Sequence, residues 1–94
     1  MNHQYERNLV VEIYRGRRFL QRRRYSYLDT AIPAANRDLI RNGQAGDVAV
    51  VHHALTGLEI GTIRMLVSGE LRSTWLWDDH YEVPQKLKGE FSNA

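Results

Sequence analysis

The chain contains no cysteine, and this absence excludes several kinds of protein at once. Disulfide frameworks, thiolate zinc sites and cysteine nucleophiles all need that residue. Long apolar runs are missing too: residues 48–51 form a run of four, whereas a membrane span needs about eighteen or more. The first seven residues are polar instead of an apolar signal core. We therefore expect a cytoplasmic protein that has no contact with a membrane.

Recognisable catalytic and cofactor motifs are also lacking. No G-x-G-x-x-G or G-x-x-x-x-G-K loop occurs, and no serine lies in a nucleophile elbow. His52 and His53 are adjacent, so on a strand their rings point to opposite sides and cannot share a metal ion. We expect His52 to pack beside Gly61 on an inner face. The acidic stretch 78–82 lacks the glycine and spacing of a calcium loop. These observations predict a protein that is not an enzyme and has no cofactor or metal.

What the chain does contain is enough apolar material for one small domain. Its 94 residues are 43% hydrophobic, which favours a globular fold over disorder. We expect a single domain over residues 1–94, with loose tails at residues 1–6 and 86–94.

Arginine is concentrated in one short segment. Six of the ten residues from Arg15 to Arg24 are arginines, and no acid interrupts them. The charge is correspondingly uneven, with +5 net in residues 1–46 and −3 in residues 47–94. Guanidinium groups beside aromatic rings suit a nucleic acid. The predicted nucleic-acid-binding residues are Arg15, Arg17, Arg18, Arg22, Arg23, Arg24, Tyr14 and Tyr25.

An acidic protein surface is the alternative partner, because arginine also binds carboxylates in a bidentate manner. The chain would then be a protein–protein adaptor or a homodimer, since its own acidic half can pair with the basic segment of a second copy. Tryptophan and tyrosine are frequent interface anchors. The candidate interface residues are Trp77, Tyr27, Asp78 and Asp79.

Alternation of apolar and polar residues predicts that the arginine segment is half of a β-hairpin. Residues 9–14 have period two, Gly16 supplies a turn, and residues 18–25 form the returning strand. A two-residue turn sets Ile13 opposite Leu20, whereas a three-residue loop sets Ile13 opposite Phe19. Arginines occur on both sides of the returning strand, so one face is exposed or covered by a partner.

One helix is predicted over residues 29–42. Asp29 or Thr30 can cap its first turn, Pro33 fits that turn, and Gly43 ends the helix. Residues 36–38 are expected to face solvent. The apolar stripe consists of Ala31, Ala34, Ala35, Leu39 and Ile40, with Ile32 near its edge.

Three further strands follow the helix. Residues 47–55 and 58–67 flank a turn at 56–57, which would place Val48 and Val50 on the inner face, opposite Met65 and Ile63. A second two-residue turn at 68–69 leads into residues 70–77, where alternation favours a strand over a short helix and places Trp75 in the core. The order ββαβββ with short connections predicts an α+β fold of two layers, an antiparallel sheet of about five strands with the helix across one face.

Overall fold

The computed structural model describes residues 7–77, and its architecture confirms the predicted α+β fold. Five strands form one antiparallel sheet, and a single helix follows the second strand. The tails expected at residues 1–6 and 86–94 lie outside the described residues. The elements are β1 (Arg7–Arg15), β2 (Arg18–Tyr27), α1 (Leu28–Asn42), β3 (Val48–His53), β4 (Glu59–Met65) and β5 (Leu71–Trp75).

The strands lie in the order β2-β1-β3-β4-β5, so the first strand is an inner one and β2 and β5 are the edges. Helix α1 connects β2 to β3, which joins the sheet on the other side of β1. This connection carries α1 across one face, where Leu28, Ala31, Ala35 and Leu39 are buried. Fully burying one such leucine contributes about 1.5–3 kcal/mol. Ile40 is 65% exposed, so its predicted place in the buried stripe is wrong.

The helix begins and ends differently from the prediction. It starts at Leu28 after Tyr27, and no side chain caps its first turn, so the predicted cap at Asp29 or Thr30 is wrong. Pro33 consequently lies in the second turn, where it has no N–H to donate to the Asp29 carbonyl. At the other end the Gly43 N–H donates to the Leu39 carbonyl at 2.8 Å. A Cβ on Gly43 would collide with that carbonyl oxygen, which explains the glycine.

The first hairpin combines a two-residue turn with a β-bulge. Tyr14 lies opposite Phe19, as the two-residue turn requires. Beyond that pair the register shifts, so Ile13 lies opposite Gln21 and neither predicted partner of Ile13 is correct. The bulge adds one residue, Leu20, to β2.

In the second hairpin, the buried and exposed faces of β3 are the opposite of those predicted. Its loop contains four residues, 54–57, because the His53 N–H donates to the Leu58 carbonyl at 2.9 Å. This loop alone shifts the predicted register by two residues, and a bulge between residues 51 and 52 moves it back by one, so the net shift is one residue. Ala49 and Val51 are therefore the buried residues. Val48 and Val50 point to the other face, because a shift of one residue exchanges the two faces of a strand.

The same shift corrects the position of His52. His52 pairs with Glu59 on the face away from the helix, so the prediction that it packs beside Gly61 is wrong. Gly61 instead lies opposite Trp75, and a Cβ there would overlap the indole ring. Trp75 is 8% exposed, which confirms its predicted place in the core.

The third hairpin has a three-residue loop rather than the predicted two-residue turn. The Leu66 N–H donates to the Glu70 carbonyl at 2.8 Å, and Gly69 adopts a φ of 89° that L side chains rarely adopt. The strand predicted in residues 70–77 is confirmed as β5 and the helix alternative is excluded.

Candidate nucleic-acid interface

The first arginine of the segment, Arg15, forms a bidentate ion pair at the end of the hairpin. Its Nε donates to Asp47 Oδ1 and its Nη2 donates to Asp47 Oδ2, both at 3.0 Å. The backbone N–H of Gln44 also donates to Oδ2, at 2.9 Å. Asp47 has no exposed surface. The pair thus joins β1 to the segment that follows α1.

These bonds keep Asp47 ionised although it is buried. The Arg15 hydrogen bond lowers the pKa of Asp47, burial opposes this shift, and the Gln44 N–H lowers it further. The same bond raises the pKa of Arg15. Arg15 was predicted to bind nucleic acid, but its guanidinium is already occupied by a buried carboxylate. This contact gives Arg15 a structural role, but its side chain is still 36% exposed, so nucleic-acid binding by Arg15 stays a prediction.

Arg23 and Tyr25 lie on the face of β2 that α1 covers. Arg23 Nε is 3.9 Å from Asp38 Oδ2, and Gln21 Nε2 donates to the same oxygen at 2.9 Å. Tyr25 is half-buried against the core, and burial raises its pKa, with the Asp38 charge adding to the shift. The expectation that Asp38 faces solvent is wrong, because it is half-buried and bonded to β2.

Arg22 and Arg24 point to the opposite face of the sheet. Within residues 7–77 no helix covers that face, which we call the open face. The Arg22 side chain is 54% exposed, and its closest acid is Glu12, with Nε 3.9 Å from Oε2. Arg17 and Arg18 are exposed at the turn. Among the described residues, Arg17, Arg18 and Arg24 form no ion pair or side-chain hydrogen bond.

The strand registers arrange the side chains of the open face in three rows across the sheet. The first row has two arginines at one end and two aromatic residues at the other. The second row is uncharged apart from Arg22 and Glu12 at one end. The third row contains Val10, which is fully buried. The rows are Phe19-Tyr14-Val48-Arg64-Arg72, Arg22-Glu12-Val50-Thr62-Thr74 and Arg24-Val10-His52-Glu59.

Glu12 is the acid at the centre of the open face. His52 Nε2 lies 2.9 Å from Glu12 Oε1, and Arg22 approaches the other carboxylate oxygen. The side chains of His52 and Glu12 are 16% and 23% exposed. The carboxylate is therefore shared between two partners and partly shielded from solvent.

Two aromatic rings meet at one end of the first row. The Tyr14 and Phe19 ring centroids are 5.8 Å apart at an interplanar angle of 63°, an edge-to-face arrangement. Phe19 is 51% exposed, so much of its ring is accessible. Burial raises the pKa of Tyr14, and the neighbouring Glu12 carboxylate adds to the shift. The phenol therefore stays neutral near neutral pH.

Arg64 and Arg72 lie at the other end of that row, and the sequence prediction did not include them. They are directly opposite each other on β4 and β5, and both are exposed. The two-residue turn predicted at 68–69 would have paired Arg64 with Ser73. A three-residue loop ending in Gly69 would have revealed the arginine pair.

Of the four predicted interface residues, the structure describes two, Trp77 and Tyr27. Trp77 is half-buried and stacks on Trp75, with ring centroids 5.4 Å apart and an interplanar angle of 2°. Tyr27 precedes α1 and is 37% exposed. Asp78 and Asp79 lie outside the described residues, as does the rest of the acidic stretch 78–82.

Two structural features are absent from the part of the chain that the structure describes. There, no three histidine, aspartate or glutamate residues are grouped so that they could hold a metal ion. Helix α1 is too short and too polar to span a bilayer. No protein family, characterised protein or solved structure matches this chain.

Proposed function

We propose that this protein is a non-enzymatic binding domain for nucleic acid, and that the arginines of the first hairpin make the contacts. One observation carries the proposal. Arg22 and Arg24 extend from a sheet face that no helix of residues 7–77 covers, next to Arg17 and Arg18 at the turn. Apart from the 3.9 Å approach of Arg22 to Glu12, their guanidinium donors are unpaired within the described residues.

Four exposed guanidinium groups on one hairpin match the chemistry of a phosphate backbone. Arginine makes bidentate contacts with phosphate, and each contact releases counterions from the nucleic acid. The ion pair between Arg15 and Asp47 holds the hairpin to the rest of the domain. Arg15 and Arg23 therefore support the binding surface in this proposal, and Arg17, Arg18, Arg22 and Arg24 form it.

The test is a salt series with labelled single-stranded and duplex oligonucleotides, measured by fluorescence anisotropy. The Arg22→Gln/Arg24→Gln variant should bind more weakly than the unmodified chain. Its plot of log affinity against log salt should be less steep by about 1.4 on a single strand and about 1.8 on a duplex, because each lost phosphate contact removes about 0.7 or 0.9.

The matched control is Arg37→Gln/Arg41→Gln, which removes the same charge from exposed positions on α1. This control should leave the salt slope unchanged. An unmodified chain that binds no oligonucleotide at low salt would refute the proposal. Equal losses in the two double variants would also refute it, because binding would then depend on net charge alone.

A homodimer is the second candidate, and one observation favours it. Phe19 and Leu20 are adjacent on edge strand β2, and they are 51% and 36% exposed. A second copy that bound there would bury apolar surface. Size-exclusion chromatography with light scattering tests this candidate: a dimer that Phe19→Ser dissociates, in a chain without oligonucleotide affinity, would replace the nucleic-acid proposal.

A further inference from the structure

We infer that the ligand is a single strand of nucleic acid that crosses the open face, with a base stacked at Tyr14–Phe19 and a phosphate bound between Arg64 and Arg72. This inference rests on the proposed function and extends the contact surface from the hairpin to the far edge of the sheet.

The arginine pair is the first observation behind the inference. Arg64 and Arg72 are direct cross-strand neighbours, and like charges in that position destabilise a sheet. Both side chains are exposed, and neither forms an ion pair with any residue from 7 to 77. An anion bound between the two guanidinium groups would remove this repulsion and accept hydrogen bonds from both.

The aromatic pair is the second and independent observation. Phe19 and Tyr14 belong to the same row of the sheet as the two arginines, with Val48 between them. An exposed ring stacks on an unpaired base whatever the sequence, because every base has a π-face. Val48 and the second-row residues Val50 and Thr62 are half-buried and uncharged, so they provide a neutral floor for the strand.

The width of the open face favours a single strand over a duplex. Arg72 lies four strand spacings from β2, which is about 19 Å at about 4.8 Å per spacing. The major groove of B-DNA is about 12 Å wide and admits a two-stranded ribbon. The two basic edges of the sheet therefore cannot enter one groove together. The Tyr14 and Phe19 rings also could not stack on a duplex, because its bases are already paired and stacked on one another.

Two variants test the two ends of the row separately, and a third conserves the charge as a control. Arg64→Gln/Arg72→Gln should make the salt dependence of single-strand binding less steep by about 0.7, because the pair binds one phosphate and each phosphate contact on a single strand contributes about 0.7. Arg64→Lys/Arg72→Lys retains both charges and should keep the original slope. Phe19→Leu should weaken single-strand binding about tenfold and leave the slope unchanged, because stacking involves no counterion.

The controls separate failure of this inference from failure of the proposed function. Circular dichroism and urea unfolding of each variant verify the fold, and Arg37→Gln/Arg41→Gln serves again as the charge-matched variant. If Arg22→Gln/Arg24→Gln reduces the slope but Arg64→Gln/Arg72→Gln does not, the inference is refuted and the proposed function stands. Tighter binding of duplex than of single strand would likewise refute the inference alone.

A competition experiment distinguishes a nucleic acid from an acidic protein as the ligand. Polyglutamate carries negative charge without bases, so it should displace a labelled single strand less effectively than an unlabelled oligonucleotide of equal charge. Equal displacement would refute the stacking contact and with it the single-strand assignment. An unmodified chain that binds no oligonucleotide at low salt would refute the proposed function, and this inference would fail with it.

Discussion

The two faces of the sheet differ in how their arginine side chains are paired with acidic residues. On the face covered by α1, two arginine side chains of the first hairpin have acidic partners: Arg15 pairs with Asp47, and Arg23 approaches Asp38. On the open face, Arg22 approaches Glu12 at the same distance as Arg23 approaches Asp38, but Arg64 lies opposite Arg72 and Arg24 has no acidic partner among residues 7–77. Burial explains the Arg15–Asp47 pair, because Asp47 has no exposed surface and an unpaired buried charge costs several kcal/mol. The opposition of Arg64 and Arg72 does not stabilise the fold, and it is one of the observations behind the proposed binding surface.

The arginine segment therefore contributes to both faces. Alternation along β2 sends Arg23 towards the helix and its neighbours Arg22 and Arg24 away from it. The cluster is thus a structural anchor on one side and a candidate binding surface on the other.

Truncating a buried side chain at the centre of the face covered by α1 should change the free energy of unfolding more than any other substitution proposed here. Leu39 has no exposed surface, and Leu39→Ala should lower the free energy of unfolding by about 3 kcal/mol through lost burial and an internal cavity. Ile40→Ala, at the next position, is the matched control and should cost less than about 0.5 kcal/mol because Ile40 faces solvent. Urea denaturation followed by tryptophan fluorescence measures both. Similar losses in the two variants would contradict the assignment of the buried face.

The buried charge on the covered side should have the next largest effect. Asp47→Ala removes two bonds to Arg15 and one from the Gln44 N–H, and should cost about 2 kcal/mol. This cost is below the roughly 3–5 kcal/mol typical of breaking a fully buried ion pair, because the Arg15 side chain is 36% exposed. Glu70→Ala removes an exposed acid and should leave stability nearly unchanged in the same urea experiment.

The ion pair also predicts a pH dependence with a defined sign. The folded-state pKa of Asp47 lies below its ordinary value of 3.8. Its stabilisation is therefore complete above 3.8 and is lost as the pH falls through the folded-state pKa. The unmodified chain should lose more stability on acidification than Asp47→Ala does. Parallel acid profiles of the two chains would show that this pair does not contribute.

The smallest effect, and the one that most directly contrasts the faces, is expected at the arginine pair. Arg72→Thr should raise the free energy of unfolding by about 0.3 kcal/mol, because it removes a like-charge contact and introduces a residue that favours strands. The gain should shrink at high salt, which screens the repulsion. Arg72→Lys keeps the charge and should give no gain. A loss of stability in Arg72→Thr at low salt would show that the pair is not strained.

Much of the fold is predictable from local pattern. The helix, the five strands and the turn at Gly16 follow from periodicity and from residues with strong conformational preferences. The predicted faces of β3 were wrong for a physical reason. A four-residue loop and a bulge shift its register by one residue, and neither leaves a clear mark on the sequence. The same kind of error, one residue in the loop before β5, concealed the opposition of Arg64 and Arg72.

The sequence by itself determined the order of the elements, the concentration of arginine in one hairpin and the need for one face of that hairpin to be exposed. These properties depend on residue type and spacing, which act over a few neighbouring residues. Only the tertiary structure decided that Arg15 is held by Asp47 and that Arg64 and Arg72 lie in one row with Tyr14 and Phe19. Such contacts depend on register and strand order, which are fixed by how the whole sheet buries its apolar face against the helix.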